Sequence, residues 1–134
     1  MTGTKIDSGA EEPPQGAKPR VLIVDDDADI LKMLRRYLGA KGLDVITTDA
    51  PFGVLELIRE HEPHVVVLDL MIPGLDGGAI FGFIRAQASV AIVFYSASSE
   101  ATLSELRDAH PHALVVAKAS PLNELESAIR SFLP

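Results

Sequence analysis

Five short apolar runs, separated by segments of helical spacing, constrain this 134-residue chain more than any other feature. The runs are "VLIV" (21–24), "LDVITT" (43–48), "HVVVLD" (64–69), "SVAIVFYS" (89–96) and "ALVVA" (113–117). Three of them are almost continuously apolar and rich in Val and Ile, as strands are when both faces of a parallel sheet are covered. Between them, Ile30, Leu34, Tyr37 and Leu38, widened by Leu31, mark a first helix that runs to Lys41 and stops at Gly42. "APFGVLELIREH" gives a second, with Asp49 as its cap and Pro51 in its first turn. A third, Gly77 to Gln87, is weak by propensity because of its three glycines. A fourth, 99–109, offers only Leu103, Leu106 and small residues as an apolar face. The last, "PLNELESAIRSFL", sets Leu122, Leu125, Ile129 and Phe132 on one stripe. Strands alternating with helices in this way predict an α/β fold, a five-stranded parallel sheet doubly wound with helices on both faces.

The folded part begins at Arg20, and residues 20–134 are expected to form one domain. Residues 1–19, "MTGTKIDSGAEEPPQGAKP", hold almost nothing to bury and are expected to be a disordered tail. The absence of cysteine excludes disulfides and thiolate metal sites. No apolar run approaches a membrane span, and the first residues lack the apolar core of a secretory signal, so a cytoplasmic protein is expected. The net charge is -7, with no clustered basic face of the kind that nucleic-acid binding needs.

In sheets of this kind functional groups gather at the carboxyl ends of the strands. Here the first strand ends in Asp25 and Asp26, the third in Asp69, the fourth in Ser96 and the fifth in Lys118. Each has an ordinary explanation alone: an Asp after a strand is usually a turn former or a helix cap, and a lone Lys a solvated charge. Their coincidence at four strand ends points to a site. Crowded carboxylates repel unless a cation compensates them. One Mg²⁺ together with the Lys118 ammonium would balance Asp25, Asp26 and Asp69, and Mg²⁺ favours a few carboxylates, waters and phosphate oxygens. A carboxylate facing such a metal can attack a phosphoryl group.

Two patterns place a reactive Asp after an apolar strand. The first is the Asp-x-Asp motif of haloacid-dehalogenase-type phosphatases, whose spacing occurs at Asp25 and Asp27. Those enzymes need further acids after their lysine, and here only Glu124 and Glu126 follow Lys118. The second fits better. From Arg20 to Leu133 the chain resembles the receiver domain of two-component response regulators, on "VLIVDDD", "VVVLDLMIPGLDG", "VFYSAS" and "VVAK". The second piece is the most specific, with Pro73 four residues after Asp69 and Gly77 four beyond that.

The resemblance implies the flavodoxin-like (βα)5 fold. It implies that Asp69 is the phosphoacceptor, that Asp25 and Asp26 bind Mg²⁺ with Asp69 and the backbone carbonyl of Met71, that Ser96 is the switch hydroxyl and that Lys118 binds phosphate. Asp27 is then left to cap the first helix. The implied partners are a sensor histidine kinase or histidine phosphotransfer protein and a downstream target protein, with no nucleic acid and no membrane. The chain would not be an enzyme acting on a separate substrate, although such domains can catalyse their own phosphotransfer and dephosphorylation. With Pro134 following the last helix, a stand-alone receiver is expected. The rival from another class is a receiver-like docking module without a phosphorylation cycle. Two departures from the family pattern stand out: Ala119 follows the lysine where many receivers have Pro, and Val115 stands three residues before it where many have Tyr or Phe. A β-branched side chain there has few rotamers to exchange. His61, His64, His110 and His112 are expected to be solvated loop residues, and of Phe81 and Phe83, on opposite sides of a helix, one is expected to be exposed.

Overall fold

A computed structural model describes residues 18–50, 53–69, 82 and 90–134. In chain order its elements are β1 (Arg20–Val24), α1 (Ala28–Ala40), β2 (Asp44–Thr48), α2 (Val54–His61), β3 (Val65–Leu68), β4 (Ala91–Ser96), α3 (Glu100–Ala109), β5 (Leu114–Ala117) and α4 (Leu122–Ser131). The expected helix at Gly77–Gln87, the phenylalanines Phe81 and Phe83, the signature residues Met71, Pro73 and Gly77, and nearly all of the 1–19 tail lie outside the described residues.

The five strands form one parallel sheet in the order β2-β1-β3-β4-β5. The chain moves outward from β1 to β2, returns past β1 to β3, and continues to β4 and β5. The order therefore reverses between β1 and β3, and the crevice that such a reversal opens lies at the carboxyl ends of these two strands. The central strands are the most apolar because both their faces are covered. All four residues of β3 and the last four of β1 are buried.

Strand alternation divides the core into two layers. Val21, Ile23, Val65, Val67, Val93, Tyr95 and Val116 point to one face, where Leu34 and Leu38 of α1 and Leu125 and Ile129 of α4 meet them. Leu22, Val24, Val66, Leu68, Ile92 and Phe94 point to the other, against Val54 and Ile58 of α2. Each fully buried Leu or Ile contributes roughly 2 kcal/mol by leaving water. α3 packs beside β5 with Leu103 as its only buried side chain.

The local signals mostly act as read. The Asp27 carboxylate caps α1, accepting from the N–H groups of Asp29 and Ile30. Gly42 stops α1 with φ of 92°, a conformation costly for any residue with a Cβ. Asp49 does not cap α2. That helix starts at Val54 with Gly53 at its N-cap and no side-chain cap, while Thr48 and Ala50 close a local turn through the Thr48 hydroxyl.

Two of the four histidines are not simply solvated. The His64 Nδ1 accepts the backbone N–H of Arg20, fastening the start of β1 to the turn before β3. His110 ends α3 and lays its ring on Phe94, with centroids 5.3 Å apart.

Candidate functional site

The sheet register sets the site. Val24, Leu68, Phe94 and Val115 stand opposite one another on neighbouring strands. The next residues along are Asp25, Asp69, Tyr95 and Val116, one step further on the α1/α4 face. The hydrogen-bonding continues past the strand ends: the Asp69 N–H donates to the Val24 carbonyl at 3.0 Å, and the Lys118 N–H donates to the Ser96 carbonyl at 2.7 Å. The main chain thus carries two acids and a lysine to one rim.

Asp25 and Asp69 are buried, whereas Asp26 is exposed. One oxygen from each of the three carboxylates lies within 4.8 Å of the others. Asp27 is not in this group, because its side chain is engaged at the start of α1. The Lys118 Nζ sits 2.7 Å from Oδ2 of Asp25 and 3.2 Å from Oδ2 of Asp69. Sequence reasoning brought Lys118 to the site but did not foresee that its shorter contact would be with Asp25. The other Asp25 oxygen, Oδ1, accepts the N–H of Asp27 at 3.0 Å.

These contacts set the charge states. Burial, helped by the Asp69 charge, lifts the Asp25 carboxyl above its usual range against the opposing pull of Lys118 and the Asp27 N–H. Burial works against the Lys118 ammonium too, but hydrogen bonds and charge from Asp25 and Asp69 outweigh it and hold its pKa above the ordinary lysine value. Lysine is thus fully charged at neutral pH and neutralises part of the acid group.

Ser96 is fully buried at the end of β4. Its hydroxyl lies 2.8 Å from that of Ser98 and accepts the Ser98 N–H at 3.1 Å. Ser98 was not singled out from the sequence, and "SASS" carries no signal that one serine would hold another. Met71 lies outside the described residues. Glu124 and Glu126 are on α4, where Glu126 is held by Tyr37 and Arg130, and neither belongs to the acid group of Asp25, Asp26 and Asp69. Three hard carboxylate donors, two of them buried around an ammonium, suit a divalent cation such as Mg²⁺.

Comparison with known proteins decides the family. The model of the response regulator receiver domain matches residues 21–130. The chain belongs to the response regulator receiver domain family. Signalling by phosphorylation and binding of Mg²⁺ are general features of that family, whose members are generally non-enzymatic signalling domains.

Among curated relatives, the receiver is 36% identical over 83 residues to the DNA-binding response regulator MtrA of Mycolicibacterium paratuberculosis, covering 62% of this chain and 37% of that protein. It is 34% identical over 118 residues to the probable transcriptional regulator ycf27 of Porphyridium aerugineum, covering 87% of this chain and 48% of that one. The chain thus spans less than half the length of these relatives. Among solved structures, the beryllofluoride-activated N-terminal receiver domain of Klebsiella pneumoniae RstA superposes with a TM-score of 0.72 at 26% identity, over 83% of this chain and 98% of that one. Among the described residues of the receiver, no helix is long and apolar enough to cross a membrane.

Proposed function

We propose that this receiver accepts a phosphoryl group on Asp69 and passes the change to a partner protein by altered contacts. The observation that carries the reading is the meeting of Asp25, Asp26 and Asp69 within 4.8 Å, with the Lys118 ammonium bridging two of them. Asp25, Asp26 and Asp69, with the Met71 carbonyl, would hold Mg²⁺. When bound, Mg²⁺ supplies charge neutralisation for carboxylate and phosphoryl oxygens.

The chain's own groups do the rest. A carboxylate oxygen of Asp69 attacks the donor phosphorus. An oxygen–phosphorus bond forms, and the bond from phosphorus to the leaving group breaks, its electron pair departing with that group. For a donor histidine the leaving group is its imidazole, so a histidine kinase or histidine phosphotransfer protein fits as the partner upstream. Lys118 turns from Asp25 to a phosphoryl oxygen, trading one anion for another at a short distance. The Ser96 hydroxyl donates to a second oxygen once it leaves Ser98. In this reading the domain catalyses its own phosphotransfer, by positioning and charge.

The docking-module rival explains none of these groups, since contact without chemistry needs no buried acids. Intact-mass measurement after incubation with acetyl phosphate and Mg²⁺ tests the reading. The unmodified protein is expected to gain one phosphoryl group and Asp69→Asn none. Equal incorporation by the two would remove Asp69 as the acceptor.

A further inference from the structure

Lys118 leaves the chain at the end of β5, yet its ammonium meets Asp69 beyond β3 and Asp25 beyond β1. In the order β1-β3-β4-β5 the side chain has to cross β4. Neighbouring strands are about 4.8 Å apart, so the crossing uses most of the lysine's reach. The residue crossed is Tyr95, paired with Val116 and on the same face as Asp25 and Asp69. Tyr95 is 3% exposed, and the Lys118 Nζ lies 5.9 Å from its ring centroid. An aromatic face attracts an ammonium at this range, the more so where water is excluded.

We infer that Tyr95 positions Lys118, its ring forming the floor across which the lysine reaches the acid group. The inference rests on the reading of Lys118 as the phosphoryl-binding ammonium. A four-carbon stem is flexible, and a site that must hand its ammonium from Asp25 to a new anion on Asp69 works faster if the ammonium stays in one place. The carboxylates fix one end of that stem only while they are its partners. The ring face fixes it from below whichever anion it faces. No residue of β5 can do this, since Leu114, Val115, Val116 and Ala117 carry no ring. Nor is Tyr95 a stand-in for the aromatic that Val115 replaces. Val115 packs with the α2 face, whereas Tyr95 belongs to the α1/α4 face and is buried among Val93, Val116, Leu125 and Ile129. It is a fixed support rather than a side chain that swings. Its hydroxyl, pushed by burial above the usual tyrosine value, stays protonated at neutral pH and adds no charge to the site.

The contact itself is read from proton and carbon shifts of the lysine side chains in lysine-labelled, metal-free protein, with Lys118 assigned through Lys118→Arg. The ε-methylene protons of Lys118 are expected well upfield of those of the exposed lysines, because they sit over the ring. The shift should persist in Tyr95→Phe and vanish in Tyr95→Leu. Phosphoryl incorporation from acetyl phosphate at saturating Mg²⁺ is expected to be near normal in Tyr95→Phe and roughly tenfold slower in Tyr95→Leu, the effect of losing one cation–π contact.

Lys118 protons at ordinary positions in the unmodified protein overturn the inference, and that measurement needs no variant to fold. So does a folded Tyr95→Leu that is labelled at the normal rate. An unmodified protein that takes up no phosphoryl group while its Lys118 protons keep their upfield shift removes the acceptor reading and leaves the ring support standing.

Discussion

α3 and α4 are both ten-residue helices that flank the last strand, and they are held very differently. α4 buries Leu125 and Ile129 completely, and Tyr37 of α1 packs with the same cluster. It is also laced to α1 by two polar contacts: the Tyr37 hydroxyl donates to Glu126, and Arg130, itself paired with Glu126 within α4, donates to the carbonyl of Lys41 at the end of α1. α3 buries Leu103 alone. Its other ties are local, a Ser99 cap on the Thr102 N–H and an exposed Arg107–Glu100 pair. Exposed pairs of that kind contribute little. A helix with one buried anchor opens at lower free energy than one with two and a polar clasp. Ser96 and Ser98 lead directly into α3, so the more weakly held of these two helices adjoins the hydroxyl proposed to meet the phosphoryl group.

The largest effect should come from emptying the two anchors. Leu125→Ala is expected to cost about 4 kcal/mol and Leu103→Ala about 2 to 3 kcal/mol, because the α3 site can collapse or open locally and the interlocked α4 site cannot. Urea unfolding of both variants measures this. Equal losses, or a larger one at Leu103, would break the contrast.

The next effect comes from the pocket. Mg²⁺ at large excess over a millimolar dissociation constant should stabilise the protein by about 1 to 3 kcal/mol. Asp26→Ala should raise metal-free stability and abolish that gain. Hydrogen exchange sharpens the comparison: amides of α4 should slow with Mg²⁺ because they exchange by global unfolding, while those of α3 should change little. Parallel slowing in both helices would mean that α3 does not open independently.

A smaller effect follows from the Asp25 carboxyl. Its folded-state pKa lies above its ordinary value of 3.8, so the folded protein retains a proton that the unfolded chain has already lost. Metal-free stability should therefore fall as pH rises from 3.8 through the folded value, with the full penalty present at neutral pH. Asp25→Asn should be more stable than the parent at pH 7 without metal, and the difference should disappear below 3.8. Denaturant melts across that range check the sign, and α3 exchange should be indifferent to it.

Much of this was legible in the sequence, for identifiable reasons. Continuous apolar runs such as "VVVL" have only one economical use, a doubly covered parallel strand, and the residues that close those strands then fall at one rim. Asp69, Asp25, Asp26 and Lys118, which the structure brings together, could be singled out with Ser96 because strand ends are visible in a sequence. Contacts made across strands were not. Tyr95 reads as one more apolar residue of "VAIVFYS", and only the register of β4 between β3 and β5 puts it beneath Lys118. The same holds for His64, whose bond to Arg20 joins residues 44 apart. Asp49 misled because an Asp before Pro51 resembles a cap, while the helix begins later, at Val54.

The most direct test of the account is a map of amide chemical shifts with and without beryllofluoride, a phosphoryl mimic, in the presence of Mg²⁺. The central claim is that Asp69 receives the group and that the change leaves through Ser96 and the weakly held α3. It predicts large shifts at Asp69, at Lys118 and through residues 96–105, with the outer face of α4 nearly unchanged and no response in Asp69→Asn. Large shifts along Leu122 to Phe132 with a silent 96–105 segment would contradict it.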